Sequence, residues 1–256
     1  MKLFFVLALF PSISALAQIS YDGKSGPGKG TSPSTNERRE KNTTKARDAK
    51  NSKTARKTPS KDPNLAKYYI NRKTSPHPNK IQPVKTKLPL KIPPGSRIAL
   101  IGNLLLDAER RFGHLETLLH QYYPKHKLTI RNLAWPADEV DLMPRPDNFG
   151  DLDQHLHYFK SDLIIASYGY NESFGGKEGL PGFRKRLDQF LTHLKTQAYN
   201  GKTAAQIILL SPTASENIAA VNAGDRNNEN LALYTQALAK GAKKHSIGFC
   251  NIFDGT

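Results

Sequence analysis

The sequence predicts an α/β fold of three layers, with helices on both faces of a five-stranded parallel sheet, and three observations predict it. After residue 91, five short apolar runs alternate with segments whose apolar residues recur at helical spacing. The central runs, in "DLIIASYG" and "AQIILLSP", are nearly continuous, as strands covered on both faces require. Cys250 is the single cysteine, so the domain must rest on an ordinary core and not on a disulfide framework.

The chain opens with Met1-Lys2, an apolar run from Leu3 to Phe10, and Ala15-Leu16-Ala17, the three parts of a secretory signal ending near residue 17. The run falls short of the roughly 20 residues that span a bilayer, and no later segment is long and apolar enough, so no transmembrane span is expected. Residues 18–90 form the next unit. The net charge of +16 suggests a nucleic-acid binder, but residues 18–91 hold 19 Lys+Arg against 5 Asp+Glu, and residues 92–256 hold 18 against 17. The basicity therefore belongs to a tail rich in Lys, Ser, Thr, Pro and Gly, which lacks the apolar surface to offset its ordering entropy and is expected to be disordered. It reads as a solvated tether or as an adhesive for anionic envelope polymers or lipid headgroups. Nucleic acid is a poorer partner, because export separates the chain from it and aromatics are not interleaved with the basic residues.

The domain then occupies residues 91–256. Ile98 to Ile101 read as the first strand, followed by a helix striped by Phe112, Leu115, Leu118, Leu119 and Tyr122 and stopped by Pro124. "KLTIRNLA" is a second, more alternating strand, suited to an edge. A long loop, "WPADEVDLMPRPDNFG", leads to a short helix around Asp151 to Phe159. "DLIIASYG" is the third strand, Phe183, Leu187, Phe190, Leu191 and Leu194 stripe the next helix with Lys195 facing solvent, and "AQIILLSP" is the fourth strand. Leu231, Tyr234 and Leu238 mark a last helix before a fifth strand, "IGFCNIF", in which Cys250 is a buried apolar residue.

In the order 2-1-3-4-5 the winding reverses between the first and third strands, and ligands bind beyond the carboxyl ends of the strands at such a point. That brings Gly102-Asn103-Leu104 beside Gly169-Tyr170-Asn171-Glu172. Each loop begins with glycine and carries an asparagine, as a sharp turn lining a polar site would.

The order of these blocks resembles that of the SGNH, or GDSL-type, hydrolases, a flavodoxin-like family of esterases and acyl hydrolases. More narrowly, "RNLAW", "RPDNFG", "YGYNESFGG" and "LLSPTASEN" resemble a divergent version near the front of large exported bacterial haem-binding proteins. The resemblance implies that Asn171 takes the oxyanion-donor position and that Ala134 stands where the family has a glycine donating its backbone N–H. It also implies that Gly102-Asn103-Leu104 replaces Gly-Asp-Ser, which puts Leu104 at the nucleophile position. Leucine has neither a lone pair for attack nor a proton for a base to remove. Gly102, Asn103, Ala134, Gly169, Asn171, Glu172 and Ser173 remain candidates for an oxyanion or ligand site.

The late Asp-x-x-His block has no match: the sequence ends at "NIFDGT", an apparent truncation of the family pattern, and Asp254 suits the end of the fifth strand better than a catalytic acid. His114, His120, His155, His157 and His193 fall on helices, where exposed imidazoles are expected, and no metal or cofactor is expected. A relocated nucleophile at Ser173 would lack a base. Two readings stay open: an ester hydrolase with incomplete machinery, and a non-catalytic module that binds a carbohydrate or acyl group or holds neighbouring domains.

Overall fold

A computed structural model describes residues 73–146, 149–217 and 223–256. The expected signal and most of the expected basic tail lie outside the described residues. Seven strands are present among them: β1 (Asn79–Lys80), β2 (Arg97–Gly102), β3 (Thr129–Asn132), β4 (Leu163–Ser167), β5 (Gln197–Ala198), β6 (Gln206–Leu210) and β7 (Gly248–Cys250). Five helices accompany them: α1 (Leu104–Phe112), α2 (His114–Tyr122), α3 (Leu152–Phe159), α4 (Gly176–Lys195) and α5 (Gly224–His245). The main sheet has the order β3-β2-β4-β6-β7 with every pairing parallel. This is the order expected from the sequence, and β3 is an edge strand.

Alternation along each central strand sorts the core into two halves. Ala99, Ile101, Ile164, Ala166, Ile207 and Leu209 face α3, α4 and α5, where Leu156, Phe183, Leu187, Leu191, Tyr234 and Leu238 meet them. Ile98, Leu100, Leu163, Ile165, Ile208 and Leu210 face the other way, toward Leu106, Leu115 and Leu119 of α1 and α2. Those two short helices do not fill the second face alone, because Leu90 and Ile92, 5% and 6% exposed, belong to the same cluster.

The expected boundary between tail and domain at residues 90 and 91 therefore moves. β1 pairs antiparallel with β5, and the Gln154 side chain donates to the Ser75 carbonyl at 2.9 Å. Thr86 ties two places at once: its N–H donates to the Ser246 carbonyl at 3.0 Å, and its hydroxyl accepts from the Ile207 N–H at 3.0 Å. Low apolar content averaged over residues 18–90 concealed a packed strap at their end.

Other expectations change locally. The helix expected through Phe112 is broken at Gly113 (φ 64°), which ends α1 and starts α2, so Leu115 and Leu119 are buried while Phe112 and Tyr122 are exposed. Asp151 starts α3 with a reciprocal cap, accepting from the Gln154 N–H at 2.9 Å while its own N–H donates to the Gln154 side chain at 3.0 Å. Lys195 is half-buried, not solvent-facing, and its ammonium donates to the His245 carbonyl. Cys250 is half-buried, and burial pushes its thiol up to about 11, so it stays protonated and unreactive near neutral pH. No helix among the described residues is long and apolar enough to cross a membrane.

Candidate functional site

The expected crevice falls at the carboxyl ends of β2 and β4, where Gly102 pairs with Ser167. Gly102 has φ 120°, and a Cβ there would stand 2.0 Å from the Ser167 carbonyl oxygen, so only glycine fits this corner. The next residue fastens the turn: the Asn103 N–H donates to the Ser167 carbonyl at 3.1 Å, and its own carbonyl accepts the first helical bond, from Asp107, at 3.1 Å. The Asn103 side chain makes no cap bond, and although the residue is 1% exposed its Nδ2 has no hydrogen-bond partner among the described residues. Leu104 is the first residue of α1 and is 46% exposed, whereas Leu106, two residues on, is 1% exposed. The leucines thus divide their work. Leu106 anchors the helix and Leu104 stands exposed at its first turn.

The candidate oxyanion donors are engaged elsewhere. The Ala134 N–H donates to the Asn132 side-chain oxygen at 3.0 Å, and the Ala134 carbonyl accepts from the Arg110 guanidinium. The adjacent Trp135 N–H closes onto the Gly102 carbonyl at 2.9 Å. Asn171 donates its amide to the carbonyls of Pro136, at 2.9 Å, and Asp138, at 3.1 Å. Its contribution in this geometry is to clamp the loop after β3 to the loop after β4.

Glu172 makes the second clamp. One carboxylate oxygen accepts the Gly169 N–H at 2.8 Å and the other the Val140 N–H at 3.1 Å. The residue is 5% exposed, and burial raises its carboxyl to about 7, against the lowering effect of its backbone hydrogen bonds. Gly169, at φ 99°, turns the chain so that this bond closes within three residues. Ser173 is fully buried and donates its hydroxyl to the Tyr170 carbonyl at 2.6 Å, so it does not face the crevice.

Sequence reasoning did not find the neighbouring ion pair. Asp138 is 2% exposed, and both its oxygens meet Arg145 at 2.7 Å, while the same guanidinium lies 4.5 Å above the Trp135 ring. Burial still raises the Asp138 carboxyl, outweighing Arg145. The signal was an acidic residue and an arginine in one long loop, which by itself fits a solvated turn equally well.

The eight histidines hold other posts. His77 meets Asp151 at 3.0 Å, His193 meets Asp153 at 2.6 Å and His245 meets Asp188 at 2.7 Å. His157, half-buried and not exposed as expected, bonds the Tyr199 carbonyl at 3.0 Å. His155, also half-buried, lies 4.8 Å from the Phe149 ring, and burial lowers its basicity. His114 stacks on Phe112, His126 meets Tyr123 edge-on, and His120 pairs with Glu116 within α2. None of these contacts reaches Leu104 or Asn171.

No family model matches the chain, and no curated protein matches it. Solved structures with a similar arrangement include a variant of an acetyl-xylooligosaccharide esterase from Geobacillus, with TM-score 0.47 and 19% identity over 64% of this chain and 80% of that one. An acetylxylan esterase from Geobacillus stearothermophilus gives 0.46 and 20% over 62% and 77%. LAE5, an alpha/beta hydrolase enzyme from the metagenome of Lake Arreo, Spain, gives 0.45 and 16% over 64% and 79%. These likenesses concern the arrangement of strands and helices, and no residue role is transferred from them.

Proposed function

We propose that the domain is an SGNH-hydrolase-type module that does not hydrolyse esters and uses the crevice between β2 and β4 to hold a carbohydrate or acyl group. The observation that carries this reading is the corner after β2, where Leu104, and not a hydroxyl, opens α1 at the mouth. Around it, the Ala134 N–H and the Asn171 amide are bonded within the protein, and Ser173 is turned away. Acyl transfer needs an activated nucleophile, a base within reach and donors aimed at the developing oxyanion. The exposed Leu104 instead offers apolar contact to an acyl chain or a sugar face. The chain is read as exported, with a basic segment that adheres to anionic envelope polymers or lipid headgroups. The narrower likeness to the front of haem-binding proteins gains no support from the comparisons and plays no part here.

The test is turnover of 4-nitrophenyl acetate and of acetylated xylo-oligosaccharides by the unmodified chain and by Leu104→Ser. Both are expected at background, because a serine placed at residue 104 has no histidine base, and such groups act as a unit. Turnover by the unmodified chain would contradict the reading.

A further inference from the structure

A cavity of about 660 Å³ lies against the edge strand β3 and is lined by described residues of the loop after it, among them Trp135, Met143, Arg145 and Phe149, by the start of α3 and by the C-terminal half of α4. Its size is that of a small-molecule site, for which about 300–1,000 Å³ is usual. It shares neither Leu104 nor Asn171 with the crevice. Trp135 and Phe149, ring centroids 6.0 Å apart and edge to face, contribute aromatic surface, and Trp135 is 40% exposed.

The charges around this surface are unevenly committed. Asp141 meets Arg186 at 2.9 Å, Asp151 caps α3 and meets His77, and Asp153 holds the Tyr199 hydroxyl at 2.7 Å as well as His193. Arg145 is bound by both oxygens of Asp138, and Arg110 serves Asp107 and the Ala134 carbonyl. Arg131 lines the same cavity, is exposed, and has no ion-pair partner among the described residues. Among the described lining residues the carboxylates are engaged and one guanidinium is available, which favours an anionic occupant over a cationic one.

We propose that this cavity binds an acidic saccharide, with a sugar ring against Trp135 and its carboxylate or sulfate on Arg131. Arg145 covers one face of the Trp135 ring, the ring's remaining exposed surface suits the apolar side of a pyranose, and the Arg131 guanidinium can donate two parallel hydrogen bonds to either anion. The site goes beyond the crevice reading, and each is read by a different assay.

Trp135 is the only tryptophan in the chain, so its fluorescence reports this cavity and not anion binding by the basic N-terminal residues. The full chain is titrated with tetragalacturonate, with a chondroitin sulfate tetrasaccharide and with neutral xylotetraose. A saturable fluorescence change is expected for at least one acidic probe, at an affinity about tenfold above that for xylotetraose, the worth of one charge-assisted contact. The stronger acidic probe identifies the anion as carboxylate or sulfate. Arg131→Gln is expected to remove that preference and Arg131→Lys to retain part of it, with xylotetraose binding unchanged in both. No saturable change with either acid, equal affinity for acidic and neutral probes, or a preference that survives Arg131→Gln would overturn the proposal.

Discussion

Glu172 is a residue whose chemistry in the fold departs far from its exposed form. Its carboxyl, held at about 7 in the fold against an ordinary 4.5, keeps its proton in the folded state over a pH range where the unfolded chain has lost it. Stability therefore falls as pH rises from about 4.5 to 7, with the full cost of the buried charge present above that window and absent below it. The shift corresponds to about 3 kcal/mol. Glu172→Gln removes the charge and one of the two acceptors, so its cost is expected to be larger at pH 5 than at pH 8. Urea denaturation at both pH values checks this, and an equal cost at each would show that Glu172 does not titrate in that window.

Asn171 makes a simpler case. Asn171→Ala releases two carbonyls of the loop after β3 and is expected to cost about 1–2 kcal/mol in denaturant unfolding. A cost near zero would show that the clamp is not held in solution. The positions of Gly102, Asn103, Leu104, Gly169 and Asn171 at strand ends were legible from the sequence, because a glycine after an apolar run marks a turn. What their donors bond to was not. Asn171 reaches carbonyls 33 and 35 residues earlier in the chain, and only the folded sheet brings those together.

At the scale of elements, the five main strands and their order were legible because each central strand is covered on both faces and so reads as an apolar run. The break at Gly113 was not, since glycine inside a helical stripe is compatible with one helix or two. Nor was the strap before β2, whose few apolar residues are diluted by lysines and prolines. Leu90 and Ile92 nevertheless cover the half of the sheet that α1 and α2 leave open. Starting the chain at residue 73 is expected to leave the midpoint of thermal unfolding of the sheet domain within a few degrees of that of the full chain, whereas starting it at residue 91 removes β1, Thr86 and Leu90 and lowers it by many degrees. Equal melting of the two shortened chains would show that the strap contributes nothing.

The central strands give a second check. Ile164 and Ile208 are buried on opposite faces of the sheet, so Ile164→Asp and Ile208→Asp each place an unpaired carboxylate in apolar surroundings and are expected to abolish folding. Soluble, cooperatively unfolding protein from either variant would contradict the two-faced core. Lys195 does not serve as a tolerant control, since it binds a carbonyl of α5.

For the whole molecule, one sheet carries two consequences of the same topology. The reversal of winding between β2 and β4 is the place where open α/β sheets bind ligands, and a cavity lies against the edge strand β3. On the proposed reading, the chain keeps the turns that would present a reacting group but places Leu104 at the corner, in the place of the hydroxyl that acyl transfer needs. That claim is tested most directly by incubating the unmodified chain with a serine-directed phosphonate and measuring the intact mass. No mass increase is expected, because Leu104 cannot be phosphonylated and Ser173 is buried with its hydroxyl on the Tyr170 carbonyl. Stoichiometric labelling at a serine lining the crevice would contradict it.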